Sequence, residues 1–192
     1  MVREVLLDIW LKIPETARRV RQRIGTVLDY AYSRDWRDHE APMRSVSKGL
    51  PNQPKVQKHF AAMPWQDVSD FVSNLPVAIK ATDTVLKALE FTILTAARSG
   101  EVRLATWNEI NFDKSTWTIP AERMKAGVEH RVPLSDRAVG ILQEMGVGDK
   151  DALIFKGRKV GRPLSDMSLT TPLRRADLGI TAHGFRSGFR DW

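Results

Sequence analysis

Pro42, Pro51, Pro54 and Pro64 fall within 23 residues that hold few large apolar side chains. Proline removes a backbone donor and clashes with the preceding helical turn, so no helix of ordinary length runs through this stretch. Residues 37–64 therefore read as an extended linker, with a helical segment before it and a longer folded segment after it. At 192 residues the chain is long enough for one sizeable core, or for one domain and part of another. Its 42% hydrophobic and 28% charged content is that of a folded soluble protein, and no apolar run approaches the ~18 residues that a membrane helix needs. The short apolar stretch at the N-terminus is broken by Asp8 and Lys12, unlike a signal peptide. Zero cysteines exclude a disulfide framework and a Cys-ligated zinc site, and fit a reducing cytoplasm. Four scattered histidines without paired carboxylates give no metal-ligand spacing, so neither a metal nor a cofactor is expected.

Charge is uneven. Residues 1–65 hold 12 basic against 7 acidic side chains, residues 66–150 hold 10 against 12, and residues 151–192 hold 8 against 4. Positive charge at both ends and a pI near 9.9 favour a polyanionic partner such as nucleic acid. Pro14-Glu15 opens a helix with proline in its first turn. Ala17, Val20, Ile24, Val27, Leu28 and Ala31 then line one face at helical spacing, while Arg18, Arg19, Arg21 and Arg23 project from the rest of the circumference. Few acids balance that basic face, so phosphate contact weighs evenly against a plain solvated surface.

After Pro64-Trp65 the pattern is helical again. Val85, Leu86, Leu89, Ile93 and Leu94 predict a central helix from about Thr82, with Thr82 or Asp83 as its cap. Trp117-Thr118-Ile119 and His130–Leu134 have strand-like content, with Lys125-Ala126-Gly127 at the tip between them. Ser135-Asp136 caps the next helix, Leu153-Ile154-Phe155 reads as a brief strand, and residues 157–163 form a basic loop without the ending of a Walker-type phosphate cradle. The fold class is thus mainly α with a small antiparallel β-hairpin, α+β. Trp107, Trp117 and Trp192 read as core. So does the stripe Phe185, Phe189 and Trp192, which should dock the last helix.

On that last helix His183 and Arg186 stand three residues apart, so imidazole and guanidinium reach one anion together. Arg98-Ser99-Gly100-Glu101 follows the central helix, where the chain turns at Ser99-Gly100 and starts a second short helix. Taken in order with Lys125 on its hairpin, these pieces resemble the catalytic domain of tyrosine recombinases, closest to prophage integrases. The resemblance covers about residues 55–192. It implies that residues 1–45 are the last helices of a core-binding, DNA-binding domain, residues 46–64 a linker, and residues 65–192 the catalytic domain, incomplete at its C-terminus. Ala96 stands where many members carry glycine.

The family's roles transfer residue by residue. Arg98 and Arg186 would clamp the non-bridging oxygens of a phosphodiester, a task that suits two guanidiniums without a metal. Lys125 would protonate the departing 5′-oxygen, and His183 would donate to the phosphate or assist proton movement. Glu101 would orient the arginines. Arg123 and Arg131 compete with Lys125 on the hairpin, and His130 reads as a cross-strand partner. The tyrosine nucleophile of the family has no counterpart, since Tyr30 and Tyr32 both precede the linker. The expected partners are double-stranded DNA and further integrase protomers, with no membrane and no small-molecule substrate, and the setting a bacterial cytoplasm and its nucleoid. Two alternatives stay open: a non-catalytic DNA-binding remnant, and a helical protein-interaction domain.

Overall fold

The computed structural model describes residues 2–54 and 61–192, so residues 55–60 of the expected linker lie outside the described residues. The chain divides into two compact units, residues 1–58 and 59–192. The first consists of α1 (Val2–Trp10), α2 (Pro14–Ser33) and α3 (Met43–Lys48). Leu6, Trp10, Ala17 and Leu50 form its core, with Val20 and Val46 against it. The stretch expected to be extended from residue 37 is thus partly built into this unit. Leu50 supplies apolar burial, the Trp10 indole donates to the Pro51 carbonyl at 2.7 Å, and the Gln53 amide donates to the Trp10 carbonyl at 2.6 Å. Proline stops a helix there but does not prevent docking. The face of α2 also differs from the expected stripe. Gly25 is buried and Val27 is 65% exposed; a Cβ on Gly25 would sit 3.0 Å from Met43 Cγ, so glycine lets α3 approach where a side chain would hold it off.

The second unit comprises α4 (Trp65–Ser73), α5 (Leu75–Ala78), α6 (Asp83–Thr95), α7 (Ser99–Arg103), α8 (Asp136–Glu144), α9 (Thr170–Arg175) and α10 (Gly184–Asp191). They surround a three-stranded antiparallel sheet, β1 (Ile110–Asn111), β2 (Thr116–Ile119) and β3 (His130–Pro133), with β2 central and Trp117 opposite Val132. The whole is mostly helical with a small sheet. The run Ala88–Ile93 on α6 is buried, and Phe91 meets Trp117 and Phe155 at ring distances of 5.3 and 5.6 Å. Thr82 occupies the N-cap of α6 without a side-chain capping bond, whereas Ser135 caps α8 through Ala138 N. Residues 153–155 are largely buried but make only a single bridge, Leu153 to Thr106, because no further strand among the described residues lies beside them to extend a ladder.

The end of the chain departs from expectation. Phe185 is buried and stacks on Phe71 at 5.6 Å, but Phe189 and Trp192 are 54% and 78% exposed. They line an open groove of about 480 Å³ with Trp65, Val72 and Leu94, so an apolar stripe marks a face here without burying all of it. No helix among the described residues is long and apolar enough to cross a membrane.

Polar pairing joins α6 to α8. Arg137 donates bidentately to Glu90, at 2.6 and 2.8 Å, and to Glu144 at 2.7 Å. The bond from Arg137, then that from Lys87, holds the Glu144 carboxyl below its ordinary value of 4.5. Arg137→Ala leaves the buried Glu90 carboxylate unpaired, and we expect a loss of about 2 kcal/mol at neutral pH, discounted because Arg137 is half exposed. A carboxyl with a depressed folded pKa stabilises above its unfolded value and loses that contribution as pH falls through the folded one. The gap between the native chain and Arg137→Ala should therefore narrow on acidification below pH 4.5, as read by urea unfolding across pH.

Candidate functional site

The turn between α6 and α7 is built from Ala96, Ala97 and Arg98. Ala96 ends α6 in the left-handed region, at φ 48°. Arg98 then takes the N-cap position of α7 with Glu101 in the helix's first turn. The Glu101 carboxylate is 6% exposed and accepts from Arg98 N at 2.8 Å and from Arg98 Nη1 at 2.5 Å. One carboxylate thus satisfies a free backbone donor of the helix start and fixes the guanidinium, a reciprocal version of ordinary capping. The Arg98 side chain stays 42% exposed, and Glu101 is its one carboxylate partner among the described residues.

Across from this turn, Arg186 Nη1 donates to the Ala96 carbonyl. The guanidinium of Arg186 is therefore tied two residues from Arg98 along the turn, although the two arginines are far apart in sequence. His183 is exposed at the N-cap of α10 and Arg186 lies in its first turn, both at the positive end of the helix dipole. Two glycines position this helix. A Cβ on Gly184 would fall 2.1 Å from the Ala61 carbonyl oxygen, and one on Gly188 would lie 3.2 Å from that of Met63. Residues 61–63 run against α10 at a distance that a side chain at position 184 forbids and one at position 188 would crowd. Thr181 N also bonds Ala61 O, at 3.1 Å, and Gly184 N bonds Thr181 Oγ1 at 2.9 Å. The i, i+4 spacing of Gly184 and Gly188 is the signal in the sequence that could have revealed this packing.

Lys125 is exposed on the loop between β2 and β3, with no hydrogen bond or ion pair among the described residues. Its two rivals are occupied. Arg131 pairs with Glu129 at 2.9 Å on the surface. Arg123 is mostly buried; it donates to Glu109 Oε1 and to the carbonyl of Glu101. Glu109 also accepts from Trp117 Nε1 at 2.9 Å. Arg123 is thus no free base of the hairpin but a brace that holds the loop bearing Lys125 onto α7.

The basic face of α2 belongs to the first unit, and its side chains differ in availability. Arg18 and Arg19 share Glu15, at 2.8 and 3.1 Å, and Arg18 first, then Arg19, lower the Glu15 pKa. This acid supplies a balance that the expected bare face lacked. Arg21 turns inward to Ser47 Oγ, while Arg23 remains exposed without an ion pair among the described residues. His130 is exposed in β3 opposite Ile119. Trp107 and Trp117 are buried, whereas Trp192 is not. Among the described residues, no group of three or more His, Asp and Glu is placed to hold a metal.

Arg123→Ala strips the buried Glu109 carboxylate of its cation and leaves the Glu101 carbonyl without that donor. We expect a loss of about 3 kcal/mol, against less than about 0.5 kcal/mol for the surface Arg131→Ala. Denaturant unfolding of the two variants in parallel reads the difference, and equal losses would contradict the brace.

Comparison with known proteins places these features. The phage integrase family profile matches residues 64–192, and the phage integrase central domain profile matches residues 1–48. The chain is 34% identical over 181 residues to the prophage integrase IntZ of Escherichia coli K12, covering 92% of this chain and 43% of that protein. It is 29% identical to the integrase of Enterobacteria phage P4, covering 90% and 43%. It thus spans less than half the length of these relatives. Among solved structures, the Tn1549 transposon integrase in complex with circular intermediate DNA aligns with a TM-score of 0.63 at 14% identity, covering 98% of this chain and 69% of that one. A lambda integrase tetramer bound to a Holliday junction aligns with 0.68 at 16% identity, covering 97% and 56%. At such identities these likenesses speak for the fold, and with the family profile over the second unit they lead to one conclusion: the chain belongs to the phage integrase family.

Proposed function

We propose that this chain carries the phosphate-binding part of a site-specific DNA recombinase that breaks and rejoins DNA through a 3′-phosphotyrosyl intermediate. Residues 1–45 would contribute the end of a core-binding domain and residues 65–192 the catalytic domain, acting on double-stranded DNA in the bacterial cytoplasm with further integrase protomers. One observation carries the reading: the bond from Arg186 to the Ala96 carbonyl brings a second guanidinium to the turn that holds Arg98. In this mechanism a tyrosine hydroxyl gives up its proton to solvent as its oxygen attacks phosphorus, and charge builds on the non-bridging oxygens. The free donors of Arg98 and Arg186 hold that charge, with His183 donating beside them. Glu101 fixes Arg98 and takes no part in proton transfer. The P–O5′ bond breaks as Lys125 delivers a proton to the leaving oxygen. Arg18, Arg19 and Arg23 would bind the DNA backbone from the first unit, with Arg21 giving shape to that face through Ser47.

The test uses a longer version of the protein in which a tyrosine follows these residues. Lys125→Ala should slow cleavage by about two to four orders of magnitude. A substrate with sulfur at the bridging 5′ position leaves as a thiolate without a proton, so it should restore most of the Lys125→Ala rate. Arg98→Ala and Arg186→Ala should lose about two to three orders of magnitude and gain nothing from sulfur, because their charge acts on the other oxygens. Equal rescue of all three variants would overturn the assignment of the acid and point to His183.

A second reading, a DNA-binding module that occupies sites without cutting, is favoured by one observation: the two tyrosines of this chain, Tyr30 and Tyr32, both lie on α2 of the first unit. The 192-residue chain should accordingly form no denaturation-resistant adduct with a nicked suicide substrate. An adduct mapping to either tyrosine would contradict both readings.

A further inference from the structure

One guanidinium clasps three stretches of the second unit. Arg123 ends a 3₁₀ turn, Ala121–Arg123, that follows β2. Its Nη1 donates to Glu109, in the turn before β1, and its Nη2 donates to the Glu101 carbonyl on α7. Because α7 ends at Arg103, that carbonyl falls in the last turn of the helix, where carbonyls have no intrahelical donor. The other oxygen of Glu109 accepts from the Trp117 indole at 2.9 Å, and Trp117 is fully buried. Arg123 therefore reaches α7 from a carboxylate that the core already holds.

Stability alone is a poor account of this arginine. Its side chain is 19% exposed, and its Nε is buried with no hydrogen-bond partner among the described residues. An ion pair taken out of water is often matched or bettered by apolar side chains of similar volume, and an unfilled buried donor adds a further cost. What the planar fork supplies, and an apolar side chain would not, is a fixed spacing between the Glu109 carboxylate and the Glu101 carbonyl. The residues that follow pass that position on. Met124 packs against the core, and its carbonyl accepts from Gly127 N at 3.0 Å in a tight turn, with Gly127 at φ 65°. Lys125, two residues after the clasp, is the first residue of this turn to be exposed. Glu101 is common to both parts of the site, since its carboxylate holds Arg98 while its carbonyl holds Arg123.

We propose that Arg123 is the positioning residue for proton delivery: by binding the Glu101 carbonyl from the hairpin, it sets Lys125 in register with the phosphate held at Arg98. The proposal rests on the reading of Lys125 as the acid given above. Arg123 is enclosed and each of its Nη groups already has an acceptor, so it acts through Lys125 and not on the phosphate. As the tyrosine oxygen bonds to phosphorus, its proton gone to solvent, the P–O5′ bond breaks. The bonding pair stays on O5′, and a proton leaves Lys125 Nζ for that oxygen. Arg98 serves the non-bridging oxygens and Lys125 the bridging one, so the hairpin and α7 must keep their spacing, and a misplacement of about 1 Å costs about a hundredfold in rate.

Single-turnover cleavage by the longer, tyrosine-bearing version of the protein tests this, on ordinary DNA and on DNA with sulfur at the bridging 5′ position, each rate taken relative to the native protein on the same substrate. Arg123→Ala should cut ordinary DNA about a hundredfold more slowly and recover most of that loss on sulfur, as Lys125→Ala does. Adding Arg123→Ala to Lys125→Ala should cost little more on either substrate, because the two changes remove one event. Arg123→Lys keeps a cation beside Glu109 but lacks the fork that also spans to the Glu101 carbonyl, so it should show a smaller loss with the same recovery. Circular dichroism checks each fold, and if Arg123→Ala is unfolded, Arg123→Lys decides by the same ratio. A native rate for folded Arg123→Ala on ordinary DNA overturns the proposal. A loss that sulfur leaves in place, or one that multiplies with that of Lys125→Ala, shows Arg123 serving the fold or the arginine turn; it overturns the proposal while Lys125 keeps its role. If Lys125→Ala itself gains nothing from sulfur, the acid is wrongly assigned and both readings fall.

Discussion

The carboxylate of Glu101 is nearly dry, and it is tolerable there because its two oxygens are taken by Arg98 N and Arg98 Nη1. A buried charge costs several kcal/mol unless its lone pairs are filled. The network continues outward: the Glu101 carbonyl accepts from Arg123, Arg123 meets Glu109, and Glu109 accepts from the Trp117 indole in the centre of the sheet. Arg98 is therefore referenced to the core through a chain of charge-assisted bonds, each of which would leave an unsatisfied buried group if broken. The loop carrying Lys125 shares that reference, since Arg123 stands two residues before it.

Helix α10 is held by a different force. Close approach of residues 61–63 to Gly184 and Gly188, with Phe185 stacked on Phe71, sets where α10 lies. Steric exclusion fixes the helix and hydrogen bonds fix the turn. The two meet where Arg186 reaches the Ala96 carbonyl. Two guanidiniums repel one another in isolation; here each is anchored to a protein acceptor, Arg98 to the Glu101 carboxylate and Arg186 to the Ala96 carbonyl.

Much of this is legible in the chain. Helical spacing locates α2 and α6, alternation and Gly127 locate the hairpin, and the ordered motifs around Arg98, Lys125, His183 and Arg186 point to the family. What stays hidden depends on partners that periodicity does not encode. Leu50 finds Trp10 some 40 residues away, so a proline-rich stretch becomes part of a core. Arg123 resembles any hairpin base until Glu109 and the Glu101 carbonyl are beside it, and Glu15 quenches part of a face that looks bare in sequence. Phe189 and Trp192 follow an apolar rhythm, but rhythm specifies a face of a helix and not what covers it.

Ala96 adds a last consequence. At φ 48° it occupies a backbone state that costs an L-residue roughly 1 kcal/mol and that glycine adopts freely. A glycine here would ease the turn, yet it would also open many other shapes to the peptide group whose oxygen grips Arg186. The methyl group narrows that choice in the unfolded chain and in the folded turn alike. One CH₃ thus exchanges backbone comfort for a carbonyl with few other directions to point, and the rigidity of the arginine pair rests in part on a group that bonds to neither guanidinium.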